Sequence, residues 1–259
     1  MRPYAIITGA ASGMGRIHAR RLSEAGYACM LVDINASGLE SLKAELEGDG
    51  HICVVQDLTA EDAVANIRAA ADKAGADVRI LVNNAGMIFT TEIMLTAPGK
   101  LRAMMMLHCT TPLLLCREFL PDMTAAGEGR ILNISSITAW MDWPMIGMYG
   151  NTKRFIKGYS RSLRMETKGS GVTVTTAIFG AVDTPLFGFS EKVRTKMKRW
   201  GVMITPEQAV DKAQEAMFKG RKKVTPGLLN KITVPVVSII PDWLLMKLYR
   251  KFRHLLLKG

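Results

Sequence analysis

TGAASGMG, residues 8–15, stands between a β-branched apolar run, YAIIT (4–8), and an amphipathic stretch that reads as a helix to about Ala25. Glycines at these positions let backbone N–H groups approach a pyrophosphate, which then sits at the positive end of the following helix. A glycine-rich string alone is weak evidence. Its position after the first strand and before a helix is the context that makes it a dinucleotide cradle rather than a tight structural turn.

Working outward, short apolar runs alternate with longer amphipathic stretches. ACMLVD (28–33), HICVVQ (51–56), RILVN (79–83), RILNIS (130–135), VTVTTAIF (172–179) and a short run at 221–225 read as further strands. Helices are expected near 36–48, 60–74, 99–126, 148–168 and 206–219. Strict β/α alternation with nearly all-apolar strands predicts a mostly parallel seven-stranded sheet covered by helices on both faces. The fold class is therefore α/β, a single-domain doubly wound Rossmann fold. No low-complexity linker or internal repeat divides it. The expected domain covers residues 1–228, with 229–259 as a basic amphipathic extension.

The 259 residues suffice for a substantial core, and 48% apolar against 22% charged residues excludes wholesale disorder. Cys29, Cys53, Cys109 and Cys116 form no C-x-x-C pair and sit in apolar surroundings. They read as reduced core thiols of a cytoplasmic protein, with no metal site. The strand starting near Met1 leaves no room for a signal or transit peptide. The net charge of +11 is unevenly placed: residues 221–259 carry +8 and EKVRTKMKRW (191–200) carries +4, while residues 1–190 sum to zero. A nucleic-acid binder more often spreads basic charge over its folded face, so no nucleic-acid partner is expected. The late excess points instead to membrane contact or capture of an acidic ligand.

YGNTK places Tyr149 and Lys153 four residues apart on one helix face. An ammonium beside a phenol stabilises the phenolate and lowers its pKa toward the working range. Such a tyrosine can exchange a proton with a substrate oxygen while a hydride moves to or from a nicotinamide. Ser136 lies thirteen residues upstream, in NISS just past the fifth strand. Asp33 ends the second strand, where an acid can hydrogen-bond ribose hydroxyls and repel a 2′-phosphate; it can equally cap the next helix. Asp57 ends the third strand, and NNAG (83–86) ends the fourth.

Glycine loop, NNAG, serine and Tyr/Lys in this order resemble the short-chain dehydrogenase/reductase family over residues 4 to about 226. The resemblance implies Ser136 as the orienter of a carbonyl, Tyr149 as general acid/base, and Lys153 as its pKa modulator and a ribose ligand. The cofactor set implied is Gly9, Ser12, Gly13, Met14, Gly15, Asp33, Asp57, Leu58, Asn84, Ala85, Gly86, Tyr149, Lys153, Val182 and Thr184. Val182 and Thr184 lie in FGAVDTPL (179–186), where Phe179 replaces the family's usual proline. Asp33 without a neighbouring base favours NAD over NADP. His108, in MLHCTT, stands where the family has an asparagine that holds a water near the lysine. It either keeps that backbone role, supplies a titrating proton relay, or merely fills the position.

Within the family the chain looks like the hydroxysteroid dehydrogenases and reductases of lipophilic ketones. The expected reaction interconverts a secondary alcohol and a ketone on a bulky lipophilic small molecule, a hydroxysteroid first. Reduction of a 3-oxoacyl thioester and a non-catalytic nucleotide sensor are the alternatives. Seventeen methionines, among them Met94, Met104, Met105, Met106, Met141, Met145, Met148, Met197 and Met203, suit either a wall for a large apolar ligand or core filler. Trp140, Trp143 and Met145 are candidate substrate contacts. A homodimer or homotetramer is expected. In the tail, Leu245, Leu248, Tyr249, Phe252, Leu255 and Leu256 fall on one helical face, and Lys247, Arg250, Lys251, His254 and Lys258 on another. This basic amphipathic helix, 243–258, is open to three roles: membrane contact, substrate lid or subunit interface. ITVPVVSIIP (232–241) before it is ten residues long and broken by prolines, too short to span a bilayer.

Overall fold

A computed structural model describes residues 2–184, 191–227, 230 and 240–256. Its strands are β1 (Tyr4–Thr8), β2 (Ala28–Asp33), β3 (Ile52–Val55), β4 (Val78–Asn83), β5 (Gly129–Ser136), β6 (Val172–Phe179), β7 (Ala181–Val182), β8 (Met203–Ile204) and β9 (Lys223–Val224). Seven of them form one sheet in the order β3-β2-β1-β4-β5-β6-β9. All six pairings are parallel. The order reverses direction at β1, which opens a crevice above the carboxyl ends of β1 and β4.

Alternate residues of each central strand serve opposite layers, as the two-residue period requires. Ala5 and Ile7, Cys29 and Leu31, Ile80 and Val82 pack with α1 (Gly13–Glu24), α2 (Ala36–Lys43) and α8 (Pro206–Phe218) through Leu22, Leu39, Leu42 and Met217. Ile6, Met30, Val32 and Leu81 pack with α3 (Ala63–Lys73), α5 (Thr111–Ala125) and α6 (Gly147–Glu166) through Ile67, Leu115, Phe119 and Leu163. The near-continuous apolar strands are thus covered on both faces.

Several boundaries and elements differ from the sequence reading. α2 ends at Lys43 rather than near 48, and its cap is Asn35, whose side chain accepts from Gly38 N at 3.0 Å. The cap role held open for Asp33 is therefore filled by another residue. The expected helix 99–126 is divided: α4 (Pro98–Met105), a π turn over Met106–Thr110, then α5. The periodicity of a π turn is too close to that of an α-helix to be seen in five residues. β7 and β8 form a separate two-stranded sheet, and the basic run becomes α7 (Glu191–Arg199). Arg194 and Lys198 fasten α7 to the Asp183 carboxylate.

The last helix, α9 (Asp242–Leu256), falls where the amphipathic tail helix is expected. Leu244, Leu245, Leu248 and Tyr249 are half-buried, while Trp243, Met246, Lys247 and Arg250 are exposed. The apolar stripe, as far as Tyr249, faces the body of the protein, and the Tyr249 hydroxyl donates to the Glu92 carboxylate. The side chains of Phe252, Leu255 and Leu256 lie outside the described residues, as do Lys258, Pro185, Leu186, residues 232–239 and the expected boundary at 228/229.

Candidate active site

β1 delivers Thr8 to the floor of the crevice, and Thr8 joins two motifs. Its hydroxyl donates to Val82 O at 3.2 Å and accepts from Asn84 N at 3.0 Å and Ala85 N at 3.1 Å. Asn84 Nδ2 donates in turn to Thr8 O at 2.9 Å. Glycine-rich loop and NNAG are therefore one rigid cradle. Gly9 and Gly13 have φ of +67° and +51°. A Cβ on Gly15 would lie 1.9 Å from Gly9 O, so no side chain fits between loop and helix. Ser12 makes no side-chain cap on α1, whose first N–H groups remain directed at the crevice. This donor set fits the pyrophosphate of a dinucleotide.

Asp33 faces the same crevice, its carboxylate held by Ala11 N and Asn35 N, both at 3.0 Å. The two bonds fix the acid at the end of β2, where an adenosine ribose would lie. Asp57 Oδ1 accepts from both the backbone N and hydroxyl of Thr59 at 2.8 Å. A cavity of about 470 Å³ connects these groups to the chemistry-bearing ones. Gly9, Ser12, Gly13, Met14, Asp33, Asp57, Leu58, Asn84, Ala85, Gly86, Ser136, Tyr149, Lys153, Val182 and Thr184 all line it. Gly15 and His108 do not. The sequence reading missed Gln56, Thr59, Leu107, Ile134 and Ser135, which also line it. Gln56 and Thr59 flank Asp57, so a wider window at that strand end would have found them. Leu107 owes its place to the π turn and had no sequence signal.

Tyr149 and Lys153 project from the first turns of α6 and are 6% exposed each. Burial raises the Tyr149 phenol to about 12, while its hydrogen bond with Ser136 pulls the other way. Burial pushes the Lys153 ammonium down to about 8, opposed by the nearby Cys109 thiol. Lys153 Nζ donates to Ile134 O at 3.2 Å and lies 5.6 Å from the centre of the Tyr149 ring. The expected depression of the phenol is therefore not found: burial holds Tyr149 above its ordinary value. What remains is a protonated phenol, a hydroxyl partner on Ser136 and a lysine poised to titrate near 8. Ser136 Oγ is also held by Thr138 N at 3.2 Å, which fixes its rotamer.

His108 is pointed inward by the π turn and is 1% exposed. Its Nε2 accepts from Met87 N at 2.9 Å, so Nδ1 carries the ring proton and donates to Thr152 Oγ1 at 2.9 Å. Thr152 passes its own proton to Tyr149 O at 2.8 Å. Burial, reinforced by Lys153, holds the imidazole pKa well below its ordinary value. Both ring nitrogens are occupied and the ring is neutral, which is the arrangement of a brace between NNAG and α6 rather than of a proton relay.

The substrate residues separate. Trp140 and Trp143 line neither described cavity; the Trp140 ring instead packs under the Lys157 ammonium at 3.9 Å. Met145 and Met148 line a second, mainly apolar cavity of about 280 Å³. Met145 holds φ at +72°, a conformation strained for a side-chain-bearing residue, and its carbonyl accepts from Thr91 N. Of the other methionines, Met104 and Met203 are core, whereas Met94 and Met105 are exposed.

The chain matches a family described as short chain dehydrogenase over residues 3–195. Human 17-beta-hydroxysteroid dehydrogenase type 3 is 28% identical over 250 residues, 94% of this chain and 77% of that protein. The solved 3-ketoacyl-(acyl-carrier-protein) reductase of Brucella melitensis, complexed with NADH, superposes with a TM-score of 0.78 at 26% identity, covering 87% of this chain and 96% of its own. A short-chain dehydrogenase of Sphingobium yanoikuyae in complex with NADPH gives 0.78 at 25% identity, covering 93% and 97%.

Proposed function

The chain belongs to the short chain dehydrogenase family, an oxidoreductase of CH–OH groups that uses a nicotinamide cofactor, and from that premise we propose that it interconverts a secondary alcohol and a ketone on a bulky lipophilic substrate, a hydroxysteroid first, with NAD preferred. One observation carries the reading. Ser136, Tyr149 and Lys153 share a single cavity with the glycine cradle and with Asp33. The bound nicotinamide would supply or accept the hydride. Tyr149 Oη then gives a proton to the ketone oxygen, or takes it from the alcohol. Ser136 Oγ orients that oxygen beside the phenol, and Lys153 Nζ supplies positive charge behind it. Asp33 serves the ribose hydroxyls and repels a 2′-phosphate, which supports NAD.

The steroid reading draws on the likeness to 17-beta-hydroxysteroid dehydrogenase type 3 and on the apolar cavity at Met145 and Met148. The likeness to a 3-ketoacyl-carrier reductase and the basic tail favour 3-oxoacyl thioesters as the second reading. Intact Ser136, Tyr149 and Lys153 weigh against a sensor without turnover. A homodimer or homotetramer is supported by Phe155 and Met165, large apolar side chains exposed on α6. Among the described residues no helix is long and apolar enough to cross a membrane. We place the protein in the cytoplasm with peripheral membrane contact through the basic segment 243–258. Residues 229–259 act as an extension of the 1–228 domain. The test is turnover of hydroxysteroids, fatty alcohols and 3-oxoacyl thioesters with NAD(H) and NADP(H). Hydroxysteroid turnover favouring NAD is expected; turnover of thioesters alone would replace the substrate reading, and preference for NADP would overturn the cofactor reading.

A further inference from the structure

The loop after β4 carries Ile93, Met94 and Leu95 in one turn of 3-10 helix, and they are 64%, 91% and 64% exposed. Single exposed apolar side chains are ordinary, but three in succession at a loop tip mark a contact surface. Glu92, immediately before the tip, receives the hydrogen bond from Tyr249, so the tip and α9 are fastened together. Away from its half-buried stripe, the same helix shows Trp243, 68% exposed, and Met246, 42% exposed, followed by exposed Lys247 and Arg250. Ile93 also lines the apolar cavity that holds Met145 and Met148, so the exposed tip is the cavity's outer wall.

We propose that the Ile93–Leu95 tip, together with the Trp243/Met246 side of α9, is a docking surface for an anionic lipid bilayer, past which an apolar substrate enters. The inference deepens the membrane contact proposed above and rests on it. It moves the inserted residues away from the Leu245/Leu248/Tyr249 stripe, which is turned to the protein body, onto residues that are bare. Apolar side chains and an indole flanked by bases are the composition that an interfacial anchor requires, the rings at headgroup depth and the cations against anionic lipid. A second copy of this chain fits less well. A twofold contact centred on the tip would bring the basic tails, part of a segment carrying +8, against one another.

Full-length protein is sedimented with phosphatidylcholine–phosphatidylserine vesicles and with pure phosphatidylcholine vesicles, at low and high salt. Binding to the anionic vesicles, weakened by salt, is expected. Met94→Glu should lower the partition coefficient by about tenfold, and Lys247→Glu with Arg250→Glu should remove the preference for anionic lipid. Turnover of a small soluble ketone should be unchanged in both variants, showing that they fold. Quenching of indole fluorescence by brominated lipid should fall in Trp243→Phe. Wild-type protein that ignores anionic vesicles, or Met94→Glu protein that binds them equally, would overturn the proposal. So would a dimer that Met94→Glu dissociates without any vesicle binding, because the surface then belongs to a second copy. Vesicle binding without turnover of any alcohol or ketone would sink the proposed activity and leave this surface standing.

Discussion

Lys153→Met should stabilise the protein while abolishing its activity. The Lys153 ammonium is buried and its pKa is about 8 in the fold, against an ordinary value of 10.5. That gap corresponds to about 3 kcal/mol of stability lost at pH 7, where the lysine is charged in both folded and unfolded chains. Methionine has similar volume and no charge to bury. It forfeits the bond from Nζ to Ile134 O, a loss of about 1 kcal/mol. The expected net gain is about 2 kcal/mol, or roughly 5 °C in melting temperature for a chain of this size. The sign is set by the lowered folded value: between about 8 and 10.5 the unfolded chain holds a proton the folded chain has released. Wild-type stability therefore rises with pH in this window relative to the variant. By pH 9.5 the variant's advantage should shrink below about 1 kcal/mol. Urea unfolding of both proteins without added cofactor, at pH 7 and at pH 9.5, measures this. A variant less stable than wild type at pH 7, or an advantage independent of pH, would refute the burial argument.

Asp33 should give NAD a kcat/KM advantage of roughly thirtyfold, from about 2 kcal/mol of carboxylate–phosphate repulsion in a partly buried site. Asp33→Asn should bring the ratio close to one, and wild-type use of NADP equal to NAD would end that assignment. His108→Ala should lower kcat by about tenfold and leave the shape of the pH profile intact, since a neutral, doubly bonded imidazole has no proton to trade. Loss of a limb from that profile would restore the relay role. Gly15→Ala should weaken NADH binding tenfold to a hundredfold, about 1–3 kcal/mol of overpacking against Gly9 O; unaltered affinity in a fluorescence titration would show that the loop can yield.

The sheet was legible because its strands are short, β-branched and separated by helices of ordinary length, so ACMLVD and VTVTTAIF begin and end in the structure where the apolar runs do. The cradle was legible because glycine and an acid at strand ends have few other reasons to be there. Three things were hidden. The π turn that aims His108 inward depends on one extra residue in a turn, which no periodicity over five residues resolves. The direction of the tail's apolar stripe depends on Glu92, far away in sequence, which takes the Tyr249 hydroxyl. Trp140 is expected to contact substrate from its position after Ser136; that the α6 register also sets Lys157 over its ring had no sequence signal. The Tyr149 phenol is expected from the sequence to lie below its ordinary value, yet burial raises it, and burial is a property of the fold.

The central claim is that Tyr149 exchanges the proton when hydride passes between nicotinamide and substrate. It is tested most directly by following NADH consumption with an apolar ketone in wild type and Tyr149→Phe, with NADH affinity measured in parallel. The variant is expected to bind NADH as wild type does and to turn over about 10²–10⁴ times more slowly. A variant that keeps more than about a tenth of wild-type turnover would contradict it.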